Sequence, residues 1–122
     1  MAAGIATLTE LRKPGQYAEL ERKSQLLGNG IAQAIRETGT PAQLIRIGAM
    51  FCLYFTQEPV TDYVTAKRSD TLRFARFFWN MLARGIYLPP SQFEACFISL
   101  ALDNEMIDET IKNVELALLE SL

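Results

Sequence analysis

The run Tyr87-Leu88-Pro89-Pro90-Ser91-Gln92-Phe93-Glu94-Ala95 sets one carboxylate between two apolar stretches, on a segment stiffened by consecutive prolines. Proline fixes φ, so the backbone leading to Glu94 has fewer states to lose and can hold a side chain accurately. The same pattern also describes a solvated loop acid, and taken alone it leaves both readings open. Arg46, beside Gly48, has a similar ambiguity between an edge-strand solubilising charge and an anion contact. Other chemistries are closed off. The chain has no histidine, which excludes His-based acid–base pairs, triads and His-ligated metal sites. A Schiff-base lysine needs a desolvated pocket that lowers its pKa. The four lysines, Lys13, Lys23, Lys67 and Lys112, lie among polar neighbours or at helix ends and are read as solvated. No glycine-rich phosphate cradle of the P-loop or dinucleotide type is present.

Composition narrows the class further. A length of 122 residues fits one domain, and 49% apolar residues suffice for a packed core. Twelve basic against fourteen acidic side chains give a net charge of −2, without the basic excess that a phosphate-binding surface needs, so no nucleic-acid partner is expected. No apolar run approaches the ~20 residues that span a bilayer, and no membrane partner is expected. Cys52 and Cys96 both fall in apolar strand-like runs and are read as buried, reduced thiols.

The elements that must position Glu94 follow from periodicity. Met1 to Leu11 is helix-forming but has no N-capping residue, which reads as a helix entered midway. Pro14-Gly15 breaks it, and Leu20, Leu27, Ile31 and Ile35 mark one face of a second helix over Gln16–Thr38. Gly28 and Gly30 each weaken that helix by about 1 kcal/mol relative to Ala. Strands are expected at Gln43–Ile47 and Met50–Thr56, the latter so apolar that both its faces call for cover. Thr61–Ser69 reads as loop or short helix. Ser69 or Asp70 can cap a helix running to about Ala83, and this helix carries two apolar stripes. Leu72, Ala75, Trp79 and Leu82 form one; Phe74, Phe78 and Met81, with Phe77, form the other. A helix apolar on two sides implies a partner surface. Ile86–Leu88 and Cys96–Leu102 are expected as further strands, and Asp103 caps a last helix with Ile107, Ile111, Val114 and Leu118 inward. The order implies an α+β fold, a small antiparallel or mixed sheet covered by helices.

Several motifs closely resemble, in order along the chain, those of the glutamate-1-semialdehyde 2,1-aminomutase family, in the class III, fold type I pyridoxal-phosphate enzymes. They are Arg46-Ile47-Gly48-Ala49-Met50-Phe51, Ala66-Lys67-Arg68-Ser69-Asp70, Phe74-Ala75-Arg76-Phe77-Phe78 and, most specifically, Gly85-Ile86-Tyr87-Leu88-Pro89-Pro90-Ser91-Gln92-Phe93-Glu94-Ala95. The resemblance implies the C-terminal small domain over residues 15–122, with residues 1–14 as the end of an interdomain helix. It implies conversion of glutamate 1-semialdehyde, an amino-acid aldehyde, to 5-aminolevulinate for tetrapyrrole synthesis. The cofactor would be pyridoxal 5'-phosphate or pyridoxamine 5'-phosphate in the intact enzyme, with none expected on this chain alone, since the cofactor lysine lies upstream. Partners would be the large domain of the same enzyme and a second subunit in a homodimer. The setting would be cytoplasmic, or plastid stroma in a photosynthetic eukaryote. Glu94 carries over as the catalytic candidate at the active-site mouth, where it would tune cofactor charge or govern release of intermediates. Ser91 and Gln92 carry over as substrate-proximal residues that also shape the loop. Two departures bear on the site: Cys96 stands where a glycine is common, and Ala101-Leu102-Asp103 lacks a histidine that often precedes the cap. Alternatives are a free-standing interaction module of the same fold, or a related class III aminotransferase. A chain without its large domain is expected to self-associate through the aromatic helix.

Overall fold

Lys23, Ser24, Leu27, Ile31 and Ala34 recur three or four residues apart along α2 (Gln16–Thr38), and this is the face that is buried in the computed structural model, which describes residues 1–122. Against it lies α5 (Asn104–Glu120), with Ile107, Val114, Ala117 and Leu118 inward. The two helices meet at Gly30. A Cβ built there would sit 2.3 Å from Ile111 Cδ1, so only glycine admits the isoleucine at this separation. Gly28 has a similar use, since a Cβ there would lie 3.1 Å from Arg46 Cδ. The glycines read from sequence as helix weaknesses are therefore sites of close approach, where the propensity cost is offset by packing.

Three antiparallel strands pair in the order β1 (Gln43–Ile47), β2 (Met50–Tyr54) and β3 (Cys96–Phe97). A two-residue connection, Gly48-Ala49, joins the first two, with Gly48 at φ 56°, a left-handed value that favours glycine. Register decides the faces. Leu44, Arg46, Phe51, Leu53 and Cys96 share the helix side, and Leu53 is buried there. Ile45, Ile47, Met50, Cys52, Tyr54 and Phe97 share the other side, which no element of this chain covers; Ile47 is 73% and Phe97 71% exposed. The expected need for cover on both faces of β2 is thus half met within the chain.

α4 (Thr71–Ala83) is capped by Asp70, whose carboxylate accepts the Arg73 N–H at 2.9 Å, and it follows the single-turn α3 (Tyr63–Ala66), capped by Asp62. Of its two apolar stripes, Phe74, Phe77, Phe78 and Met81 enter the core, while Leu72 and Trp79 stay 74% and 64% exposed. α1 (Ala2–Leu11) buries no residue and has no side-chain cap.

The α+β class, the helices α1, α2, α4 and α5, the strand β1 and the antiparallel sheet agree with expectation, but three strand assignments need correction. Ile86–Leu88 is not a strand. Gly85, at φ 81°, ends α4 in a Schellman motif, with Gly85 N–H donating to Leu82 O and Ile86 N–H to Met81 O. Pro89 and Pro90 then have no N–H to offer a ladder. β2 stops at Tyr54 and not Thr56, because Phe55 N–H donates to the Gln92 side chain. β3 is two residues long; after Ile98 N–H reaches Ala49 O, Ser99 turns the chain, accepting Leu102 N–H on its carbonyl and Ala101 N–H on its hydroxyl.

Gly30→Ala is expected to destabilise the chain by up to ~2 kcal/mol net, the overpacking cost of ~1–3 kcal/mol at Ile111 outweighing the ~1 kcal/mol helix-propensity gain. Urea unfolding midpoints measure this, with Gly4→Ala, where an added methyl meets nothing within 4 Å, expected to show no loss.

Candidate functional site

Ser91 to Glu94 form one tight turn. Ser91 O accepts Glu94 N–H at 3.1 Å, and Ser91 Oγ accepts Phe93 N–H at 3.2 Å. The three candidates are therefore adjacent, yet they face different surroundings. Ser91 is half-buried and shapes the turn. Gln92 is only 3% exposed, and its Oε1 accepts Phe55 N–H at 3.3 Å, pinning the turn to the end of β2. Glu94 alone presents its carboxylate to the surface. Phe93 packs edge-on against Tyr63, ring centroids 6.3 Å apart, which ties the turn to α3 as well.

The open sheet face adjoins Glu94. Cys52, on that face, donates its thiol to Glu94 O at 3.6 Å. Ala95, the next residue, lines an apolar depression of about 130 Å³ with Ile45, Ile47, Met50, Cys52 and Tyr54. The Glu94 backbone thus borders the uncovered apolar face, and its side chain is exposed. Burial raises the Tyr54 phenol, with the Cys52 hydrogen bond adding to it. Cys96 points to the helix side and is pushed up to about 11, first by burial and then by the charges of Cys52 and Glu94. Both cysteines are free and partly buried.

Arg46 resolves into an internal partner. Its guanidinium makes two hydrogen bonds to the Glu21 carboxylate, at 2.8 and 3.1 Å, and a third to Gly48 O at 2.7 Å. The hydrogen bonds with Glu21 raise the Arg46 pKa and lower that of Glu21. Lys23 corrects the sequence reading. It is 8% exposed, and its ammonium donates to Leu100 O at 2.8 Å and Leu102 O at 2.5 Å. This lysine satisfies the carbonyls of the turn entering α5, so its charge is already committed. Lys13, Lys67 and Lys112 are exposed. A wider cavity of about 610 Å³ lies between the Gly85–Pro89 segment, β3 and the start of α5, and no lysine lines it. The residues present do not form a covalent pyridoxal-phosphate site. Sequence reasoning missed Lys23 because its helical neighbours are charged; its spacing to Leu27 and Ile31 on the buried face was the available signal.

Known proteins supply the context. No family model matches the chain. Over 120 residues it is 52% identical to glutamate-1-semialdehyde 2,1-aminomutase of Thermomicrobium roseum, covering 98% of this chain and 28% of that protein. Over 111 residues it is 50% identical to the aminomutase of Desulfosudis oleivorans, covering 91% of this chain and 26% of that protein. The chain is similar to one segment of the glutamate-1-semialdehyde 2,1-aminomutases. It spans about a quarter of the length of these curated relatives. Its fold matches that of a glutamate-1-semialdehyde-aminomutase from Pseudomonas aeruginosa at TM-score 0.81, with 20% identity over 96% of this chain and 26% of that one. A transaminase with pyridoxal phosphate bound matches at TM-score 0.78, with 20% identity over 98% of this chain and 26% of that one. The small α+β fold is therefore shared by aminomutase and transaminase structures, while the half-identical sequences carry the aminomutase name.

The raised Cys96 thiol makes a direct test. Thiolate is the reactive form, so Cys96 is expected to be alkylated far more slowly at pH 8 than a free thiol, with the rate rising toward pH 11. Because the folded state keeps this proton above pH 9 while the unfolded state loses it, the Cys96 contribution to stability is expected to be constant below pH 8. It should then fall between pH 9 and about 11. Mass-spectrometric alkylation rates and denaturation midpoints across that range measure both.

Proposed function

We propose that this chain is the C-terminal small domain of an aminomutase that converts glutamate 1-semialdehyde to 5-aminolevulinate for tetrapyrrole synthesis. Residues 1–14 would end the helix joining it to a large domain, and the whole enzyme would be a cytoplasmic or plastid homodimer. Half-identity to aminomutases over nearly the whole chain supports the class. The observation that carries the site is Glu94, an exposed acid whose backbone borders an apolar sheet face that this chain leaves uncovered. An apolar face of this kind calls for a protein surface, and the remaining three quarters of such an enzyme would supply one. Covering the face would bring the large domain, with its cofactor lysine, against Glu94.

In this reading the pyridoxal or pyridoxamine phosphate belongs to the large domain and supplies the amine and the electron sink. The contribution of this chain is placement. Ser91 and Gln92 fix the turn, and Glu94 sets a negative charge at the mouth of the site. Such a charge favours protonated states nearby and would hold back amine-bearing, cationic intermediates from release.

In a parent-length enzyme, Glu94→Gln is expected to lower kcat for 5-aminolevulinate formation by roughly 10²-fold while leaving the cofactor absorbance in place. Unchanged kcat removes Glu94 from the chemistry. Formation of 5-aminolevulinate without an external amino donor is expected of the parent; a strict requirement for a donor would favour the transaminase reading that the shared fold leaves open.

A further inference from the structure

Gln92 has one half of its amide accounted for. A backbone N–H can only donate, so the atom facing Phe55 N is necessarily Oε1, and this fixes the amide and turns its nitrogen away from β2. Nε2 is fully buried and no protein acceptor lies within hydrogen-bonding distance of it. Leaving a buried donor unmatched is costly enough that native structures seldom tolerate it. Gln92 lines a chamber of about 30 Å³ beneath the turn, walled largely by apolar side chains such as Phe74 and Phe77. Ser91, Glu94 and Thr110 also line it. The Thr110 hydroxyl donates to Met106 O, which leaves its oxygen lone pairs free to accept.

We infer that this chamber holds one ordered water, which accepts from Gln92 Nε2 and bridges it to oxygens on the lining, completing the anchor beneath Glu94. The size sets the ligand. A single water needs a site of ~10–15 Å³ or more and two to four polar partners, whereas ~30 Å³ is too small for an organic molecule. With Glu94 exposed and the rest of the wall largely apolar, a bare ion would lose its hydration without a buried charge to pair with. The anchor therefore has two parts: the Oε1 bond to β2 fixes the position of the turn, and the water fixes its height above the core.

The test needs only the 122-residue chain, so it stands or falls separately from the kinetic test of Glu94. A crystal structure at a resolution that places ordered solvent is expected to show one peak ~2.7–3.2 Å from Gln92 Nε2. In solution, the Gln92 side-chain amide protons are expected to give nuclear Overhauser cross-peaks to a long-lived water. Gln92→Met is expected to lose the peak and to speed hydrogen exchange at the Phe55 amide at least tenfold. The wild-type measurements do not depend on that variant folding. An empty chamber where other buried waters are visible, or Nε2 donating directly to the Glu94 carboxylate, would overturn the inference.

Discussion

Phe55 sits just past the end of β2, and both of its backbone groups are taken by segments distant in sequence. Its N–H goes to Gln92, its carbonyl receives Asp70 N–H at 2.9 Å, and its ring meets Phe74, Phe77 and the Arg73 guanidinium. Sheet, α4 and the Glu94 turn are therefore fastened at one residue. If Phe55 continued the ladder instead, Gln92 would lose its acceptor role and the turn its reference point. The bond between Phe55 N and Gln92 Oε1 is what converts a flexible proline-rich connection into a platform.

The same economy recurs where α5 begins. A short β3 and a tight turn leave Leu100 and Leu102 carbonyls facing the interior, and buried carbonyls without donors are costly. Lys23 answers from α2, burying its apolar stem and delivering its ammonium to both. Gly30 permits α2 and α5 the close approach at Ile111 that seals this end of the core. Polar satisfaction and close packing thus fix the helical layer, and the sheet takes its position from that layer through Leu44, Leu53 and Ile98.

Much of this was legible in the residues. The helical stripes of α2 and α5, the Asp70 and Asp103 caps and the Gly48 hairpin each follow from local rules. What the pattern misjudged depended on distant partners. Ile86–Leu88 looks like a strand, but its first N–H closes α4. Lys23 looks solvated among Glu19, Glu21 and Arg22, but it answers carbonyls some eighty residues on. Gly28 and Gly30 look like weak points until Arg46 and Ile111 arrive against them. The Glu94 turn was marked out by its prolines and its acid; that Gln92 faces the core and Glu94 the surface could not be read, because both lie outside any repeating period.

The outer sheet face is where the chain's own resources stop. Ile45, Ile47, Met50 and Phe97 form a contiguous apolar surface beside Glu94, and Leu72 and Trp79 form a second ridge on α4. On this account, the sheet face is completed by the remainder of an aminomutase-length enzyme. Hydroxyl-radical footprinting of Met50 tests it most directly, comparing the isolated chain with a parent-length enzyme. Met50 is expected to oxidise readily in the chain, where it is 40% exposed, and to be strongly protected in the longer protein. Equal oxidation in both would contradict it.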